Sequence, residues 1–419
     1  MHGLNTTSKL VKPLIPLLKK CGGVSHKTPK EKATLRKAQM KIFHDIRKGD
    51  EYVDKLVKTG CFEPSISAVR KVPKTYASRY FPVEIKKYIE GTAKYQLTYH
   101  CDVHGRDVKI IFALFTEGEL GNIEKYNRSA RFIYTWLYIC GNYSLRRCSN
   151  KLDIFIYFTP FTKQMPDSRT TILGASHVNT AFTHICRPHG EIVLYREEEW
   201  KKVFIHETFH SFGLDFGDFD CDNVTKRLFG IFPVKSEFHL TETYTETWSR
   251  ILHTAFVSYF SLKTKTDMKS FIINMDMGLE LERLFSLQQL IRVLEFMGLQ
   301  YGDLYKRCDT CQMLRQNMYQ EDTHVLAYYV ITGIFMNDYS EFLSWCMSDD
   351  ENMYKFDATP QNMYKFDATP QNMRNFLALI ESQHNCDFLT DSIACVMEHL
   401  IGKKRFVSNT MRMSMLEWK

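Results

Sequence analysis

At 419 residues the chain is long enough for two or three domains of ordinary size. Its 44% hydrophobic and 25% charged residues are those of a globular protein, which excludes global disorder, collagen and coiled coil. Residues 1–50 carry twelve Lys or Arg against three Asp or Glu, so the net charge of +7 belongs to this segment and the rest of the chain is close to neutral.

Taken in chain order, residues 1–70 read as a basic, solvated arm with one helix over residues 30–48. Such an arm could contact a polyanion, either nucleic acid or an anionic surface. Residues 1–22 lack an unbroken apolar stretch, because Lys9, Lys12, Pro13, Pro16, Lys19 and Lys20 interrupt it, so a secretion signal is not expected. The longest apolar runs, such as residues 325–336, fall short of the ~18 residues that a membrane-spanning helix needs. The expectation is a cytoplasmic protein whose twelve cysteines are mostly reduced and buried. Cys308 and Cys311 form the one C-x-x-C pair and read as two packed thiols, since a zinc ribbon requires a second pair.

Between about residues 71 and 195 the pattern is strand-like. Residues 108–116, 152–159, 177–184 and 191–195 read as β-strands, the last two joined by a turn near Pro188 and Gly190. After Arg196 the pattern becomes helical, over residues 197–212, 237–260, 280–296, 323–336 and 387–401. Residues 352–361 recur unchanged as 362–371. Two copies are too few for a solenoid, and the repeat reads as a duplication within a surface loop. Domains are expected at 1–70 (basic segment), 71–235 (α/β lobe) and 236–419 (helical lobe).

The chemistry is concentrated in His206-Glu207-Thr208-Phe209-His210, an H-E-x-x-H pattern. Two histidines four residues apart lie on one helix face, where both rings can reach one metal ion. Glu207 projects from the neighbouring face, where it can handle a proton without being a ligand. Trp200, Val203 and Phe204 supply an apolar stripe, and Gly213 is a suitable helix stop. The nearby Asp215, Asp218, Asp220 and Asp222 do not make an EF-hand, because Asn223 and Phe229 stand where Gly and the bidentate Glu belong.

Residues 178–248 resemble the zincin metallopeptidases and, within them, the thermolysin-like gluzincins. The resemblance rests on Asn179-Thr180-Ala181-Phe182, on residues 190–195, on the H-E-x-x-H stretch and on Glu242-Thr243-Tyr244-Thr245-Glu246. It implies that His206, His210 and Glu242 hold one Zn²⁺ and that Glu207 is the general base. It also implies that Glu246 supports a metal-bound histidine from behind, and that an edge strand binds the peptide backbone through Asn179 and Ala181. The match departs from the family at Glu246, where Asp is usual. Tyr244 and His253 are oxyanion candidates by proximity to Glu242. In the rival metzincin pattern Gly213 fits, but the ligand position falls on Phe216, which cannot coordinate, while Asp215 could approach only through a sharp turn at Gly213. More loosely, the chain resembles proteins of large DNA viruses, which would place it in an infected cell or a virion.

The expected fold is α+β and zincin-like. A small mixed sheet carries the motif helix, a mostly helical lobe follows, and the active cleft lies between them. The expected activity is zinc-dependent hydrolysis of peptide bonds in a peptide or protein substrate. The alternative is a non-catalytic protein of the same fold that binds polyanions through its N-terminal arm.

Overall fold

The computed structural model describes residues 14–22, 28–69, 80–217, 219, 221–347, 364, 366–401 and 409–417. Asp218, Asp220 and all of the tandem repeat except Tyr364 and residues 366–371 lie outside the described residues.

The architecture is α+β. The strands are β1 (Ser65–Ala68), β2 (Tyr95–Val103), β3 (Arg106–Leu114), β4 (Lys151–Tyr157), β5 (Leu173–Gly174), β6 (Ala181–Thr183), β7 (His189–Leu194) and β8 (Glu321–Asp322). Among the described residues, six of them form a mixed sheet in the order β1-β2-β3-β4-β7-β6, and β5 pairs with β8 separately. Within the sheet β4 runs parallel to β3 and β7, while the other pairings are antiparallel.

Composition suggested boundaries at residues 70 and 235. The compact units divide elsewhere. One consists of Ile42–Lys163 and Asn179–Gly217 and contains the sheet; the other gathers the described residues of Met1–Lys41, Gln164–Val178 and Asp218–Lys419.

In the sheet unit, β2 and β3 form a hairpin in which Val103 faces Arg106 across His104 and Gly105, both with positive φ (55° and 77°). That is the conformation a two-residue hairpin turn requires. Parallel strands cannot be joined so tightly. The crossover from β3 to β4 is the helix Ile123–Tyr143, in a stretch that the sequence reading took as strand-like. Its run of Phe132, Ile133, Tyr134, Thr135 and Trp136 favours strand locally. The connection between two parallel strands decides otherwise, and the helix is buried on nearly all sides, from Phe132 to Leu137 without a break. Residues 177–184 also differ from expectation: a short helix, Ala175–Val178, precedes the three residues of β6. One side of the sheet is covered by an apolar cluster that includes Phe81, Ile85, Ile89, Phe182, Val193 and Tyr195.

The described part of the N-terminal segment is not a solvated arm. The helix Pro29–Val57 fully buries Ala38, Ile42, Phe43 and Val53. Asp50 on this helix takes a 2.5 Å ion pair from Arg131. The shorter helix Ile15–Cys21 buries Leu17 and is tied to Cys395 by a disulfide. Truncating residues 1–50 would therefore remove core side chains along with the charge.

In the other unit, Leu240–Phe260 and Met268–Phe296 are buried around most of their circumference. The buried hydroxyls of Thr247, Thr254 and Ser258 donate to carbonyls four residues earlier, at 2.7, 2.8 and 2.7 Å. The expected helix over residues 323–336 is π-helical at Leu326–Ile331 and α-helical at Thr332–Asn337. No helix among the described residues is long and apolar enough to cross a membrane.

The cysteines correct another expectation. Eight of the twelve pair as Cys21–Cys395, Cys61–Cys101, Cys148–Cys186 and Cys308–Cys311. Cys140 and Cys346 are buried thiols.

Candidate metal centre

The H-E-x-x-H sequence lies on the helix Trp200–Ser211, and the local sequence fixes both of its ends. At the entrance, Glu199 has a positive φ of 59° and pairs with Lys163 at 2.7 Å. Both side chains are buried, at 0% and 1% exposure. Burial lowers the Lys163 pKa, and the Glu199 charge opposes that shift. Trp200 and Phe204 pack against Phe132, while Phe209 stacks on Trp136. These contacts orient the helix, which is buried nearly all round, and His206 and His210, four residues apart, share one of its faces.

At the exit, Gly213 has φ +58°. Its N–H donates to the His210 carbonyl at 3.1 Å and that of Leu214 to the Phe209 carbonyl at 2.9 Å, a left-handed helix stop. The left-handed φ favours glycine, and a Cβ here would also sit tightly, 3.2 Å from Cys148 Sγ. The turn carries the chain back and sets Asp215 Oδ2 against His210 Nδ1.

That contact assigns the ring's chemistry. A carboxylate accepts, so Nδ1–H of His210 donates and the neutral ring keeps its lone pair on Nε2. His210 Nε2 lies 3.2 Å from His206 Nε2. Two nitrogen ligands of a tetrahedral zinc with bonds of ~2.05 Å stand about 3.3 Å apart. The donor set therefore fits zinc. His206, His210 and Glu242 each offer a ligand atom, all lying within 4.8 Å of one another. His206, Glu207, His210 and Asp215 are all buried.

Glu242 is positioned by residues that the sequence reading missed. Tyr328 donates its hydroxyl to Glu242 Oε2 at 2.9 Å. Tyr328 lies in the π-helical segment, and its carbonyl accepts from Arg250 Nη2 at 2.8 Å. Arg250 Nε in turn donates to Glu246 Oε1 at 2.8 Å, and both side chains are 1% exposed. Glu246 thus anchors a buried relay running through Arg250 to Tyr328 and on to Glu242. No sequence signal announces Tyr328, which stands 86 residues from the carboxylate it holds.

The remaining site expectations fall as follows. Ala181 lies on β6, an end strand of the sheet, opposite Leu194 of β7. Asn179 precedes that strand by two residues. The Tyr244 hydroxyl donates to the Tyr364 carbonyl at 3.0 Å, and Tyr244 follows Glu242 by two residues, which puts it on the far side of the helix. His253 faces Ser414 and lies eleven residues beyond Glu242, about 16 Å along the axis. Neither position suits an oxyanion donor beside Glu242. Asp222 is exposed in the first turn of the helix Asp222–Ile231.

Comparison with protein-family models, curated proteins and solved structures yields no match.

Proposed function

We propose that the protein is a zinc-dependent metallopeptidase, with His206, His210 and Glu242 holding the metal and Glu207 as the general base. The observation that carries this reading is the 3.2 Å approach of two Nε2 atoms on one helix, with Asp215 fixing the tautomer of one of them. A zinc ion in such a site supplies Lewis acidity toward a water molecule and a substrate carbonyl.

The chain's own residues do the rest. Glu207, next to His206 and largely buried, accepts the proton of the attacking water and returns it to the leaving amine. Asp215 keeps the His210 ring oriented and its Nε2 free of a proton. Tyr328 restrains the Glu242 carboxylate. An extended peptide would add as a further strand beside β6, the end strand of the sheet among the described residues, with Asn179 and Ala181 nearby.

The test is metal analysis combined with cleavage of a quenched-peptide library by the purified chain. About one zinc per chain is expected, with cleavage abolished by a chelator and restored by added zinc. A protein that carries no zinc and cleaves nothing overturns the proposal.

A further inference from the structure

The Cys308–Cys311 disulfide is unlike the other three. Those join residues 374, 40 and 38 positions apart, whereas this one closes over a separation of three. The stabilisation from a cross-link grows with the length of chain it closes, so this bridge contributes least to holding the fold. Its placement is that of a reactive pair. Cys308 is exposed and caps the ten-residue helix Asp309–Met318, while Cys311, one turn in, is 7% exposed. The N–H of Cys311 donates to Cys308 Sγ at 3.2 Å. A donor and a helix N-terminus both stabilise negative charge on that sulfur. Arg315, one turn beyond Cys311 and 4% exposed, donates to the carbonyls of Asp303 at 3.1 Å and Lys306 at 2.8 Å. It fixes the chain entering Cys308 and adds a buried positive charge on this side of the helix.

We propose that Cys308–Cys311 is a redox-active disulfide that exchanges with a dithiol, Cys308 being the sulfur that is attacked. An incoming thiolate attacks Cys308 Sγ; the S–S bond breaks, a mixed disulfide forms, and Cys311 leaves with the electron pair and takes up a proton. The second thiol of the same dithiol, deprotonated, then attacks the incoming sulfur and releases Cys308 as a thiolate beside the Cys311 N–H. The dithiol is oxidised to its own disulfide, and the protein gains two electrons and one proton, Cys308 being left as the thiolate. The inference is independent of the peptidase reading, since none of its residues belongs to the proposed zinc site.

The experiment uses the full chain, equilibrated at increasing ratios of reduced to oxidised dithiothreitol, quenched in acid, alkylated and mapped by mass spectrometry. Cys308–Cys311 should be half reduced at a ratio at least ~10-fold lower than any other disulfide of the chain. Reduction together with or after the others, or recovery of these two cysteines as thiols under oxidised dithiothreitol alone, overturns the proposal. A parallel arm uses a reduced dithiol protein, thioredoxin, at a hundredth of that concentration. Equally fast reduction there identifies a protein dithiol as the partner, and reduction only by dithiothreitol identifies a small one. In a Cys311→Ser variant, Cys308 should react with an aromatic disulfide reagent at pH 7 at least ~10-fold faster than glutathione does. A rate equal to that of glutathione counts against the assignment of Cys308 as the attacked sulfur.

Discussion

Among the described residues, histidine and carboxylate ligands lie within 4.8 Å of one another twice, at His206, His210 and Glu242 and at Asp153, His189 and Glu191. The second group forms by strand geometry alone. Asp153 on β4 stands opposite Glu191 on β7, and His189 shares a face with Glu191 because it lies two residues earlier. His189 Nε2 lies 2.8 Å from Asp153 Oδ2, but the two side chains are 49% and 17% exposed. Lys109 and Lys151 sit opposite Asp153 and His189 on neighbouring strands and offset the acidic charge. In the first group the histidines are buried, one ring is held from behind by Asp215, and Glu242 is held by Tyr328. Proximity is common to both groups; restraint and desolvation belong to the first. Binding energy is lost when ligands must first be ordered, so only the first group is organised for tight binding.

The largest expected effect sharpens that contrast. His206→Ala should reduce bound zinc to background and abolish peptide cleavage, whereas His189→Ala should leave both unchanged in metal analysis and library assay. Equal zinc loss in the two variants would erase the distinction. Glu207→Gln should lower the cleavage rate by roughly 10²–10⁴-fold with zinc content intact, because a carboxamide cannot accept the water's proton. Loss of zinc in that variant would move Glu207 among the ligands.

Asp215→Ala should weaken zinc by roughly 10–100-fold in chelator competition, since it removes the support behind His210. Zinc affinity equal to that of the unaltered chain would show that the His210 ring is held by other means. Glu246→Ala should leave Arg250 buried without its partner and destabilise the fold by about 3–5 kcal/mol in denaturant unfolding. The smallest change is expected on the exposed group, where His189→Ala should stay within about 0.5 kcal/mol in the same unfolding measurement.

Much of the fold was legible. The strands β3, β4 and β7 and the helices carrying His206 and Glu242 lie within a few residues of their expected positions. The helix Ile123–Tyr143 was hidden by β-branched and aromatic residues that locally favour strand. Its residues 132–137 are all buried, so no amphipathic periodicity distinguishes it from a buried strand, and the crossover between parallel strands is what requires a helix there. A helix over residues 30–48 was legible, but charge hid its burial. The lysines of Pro29–Val57 lie on its solvated side, while the apolar residues between them are buried. Cysteine pairing was misread because the compartment was argued from residues 1–22, whereas pairing depends on which thiols the fold brings together.

The sequence by itself determined the histidine pair and the position of Glu207, because a separation of four or one along a helix converts directly into an angle. It determined the helix stop as well, since Gly213 is the residue type that most readily adopts the left-handed turn ending a helix. Tertiary structure decided what surrounds them. Asp215 was read as a poor rival ligand, yet the reversal at Gly213 sets it behind His210. Glu246, expected behind a histidine, is instead the anchor of Arg250. Tyr328 reaches Glu242 across 86 residues of chain. Helical periodicity is set by local backbone geometry and can be read one turn at a time, whereas contacts between distant segments depend on where the chain reverses and what the core must bury.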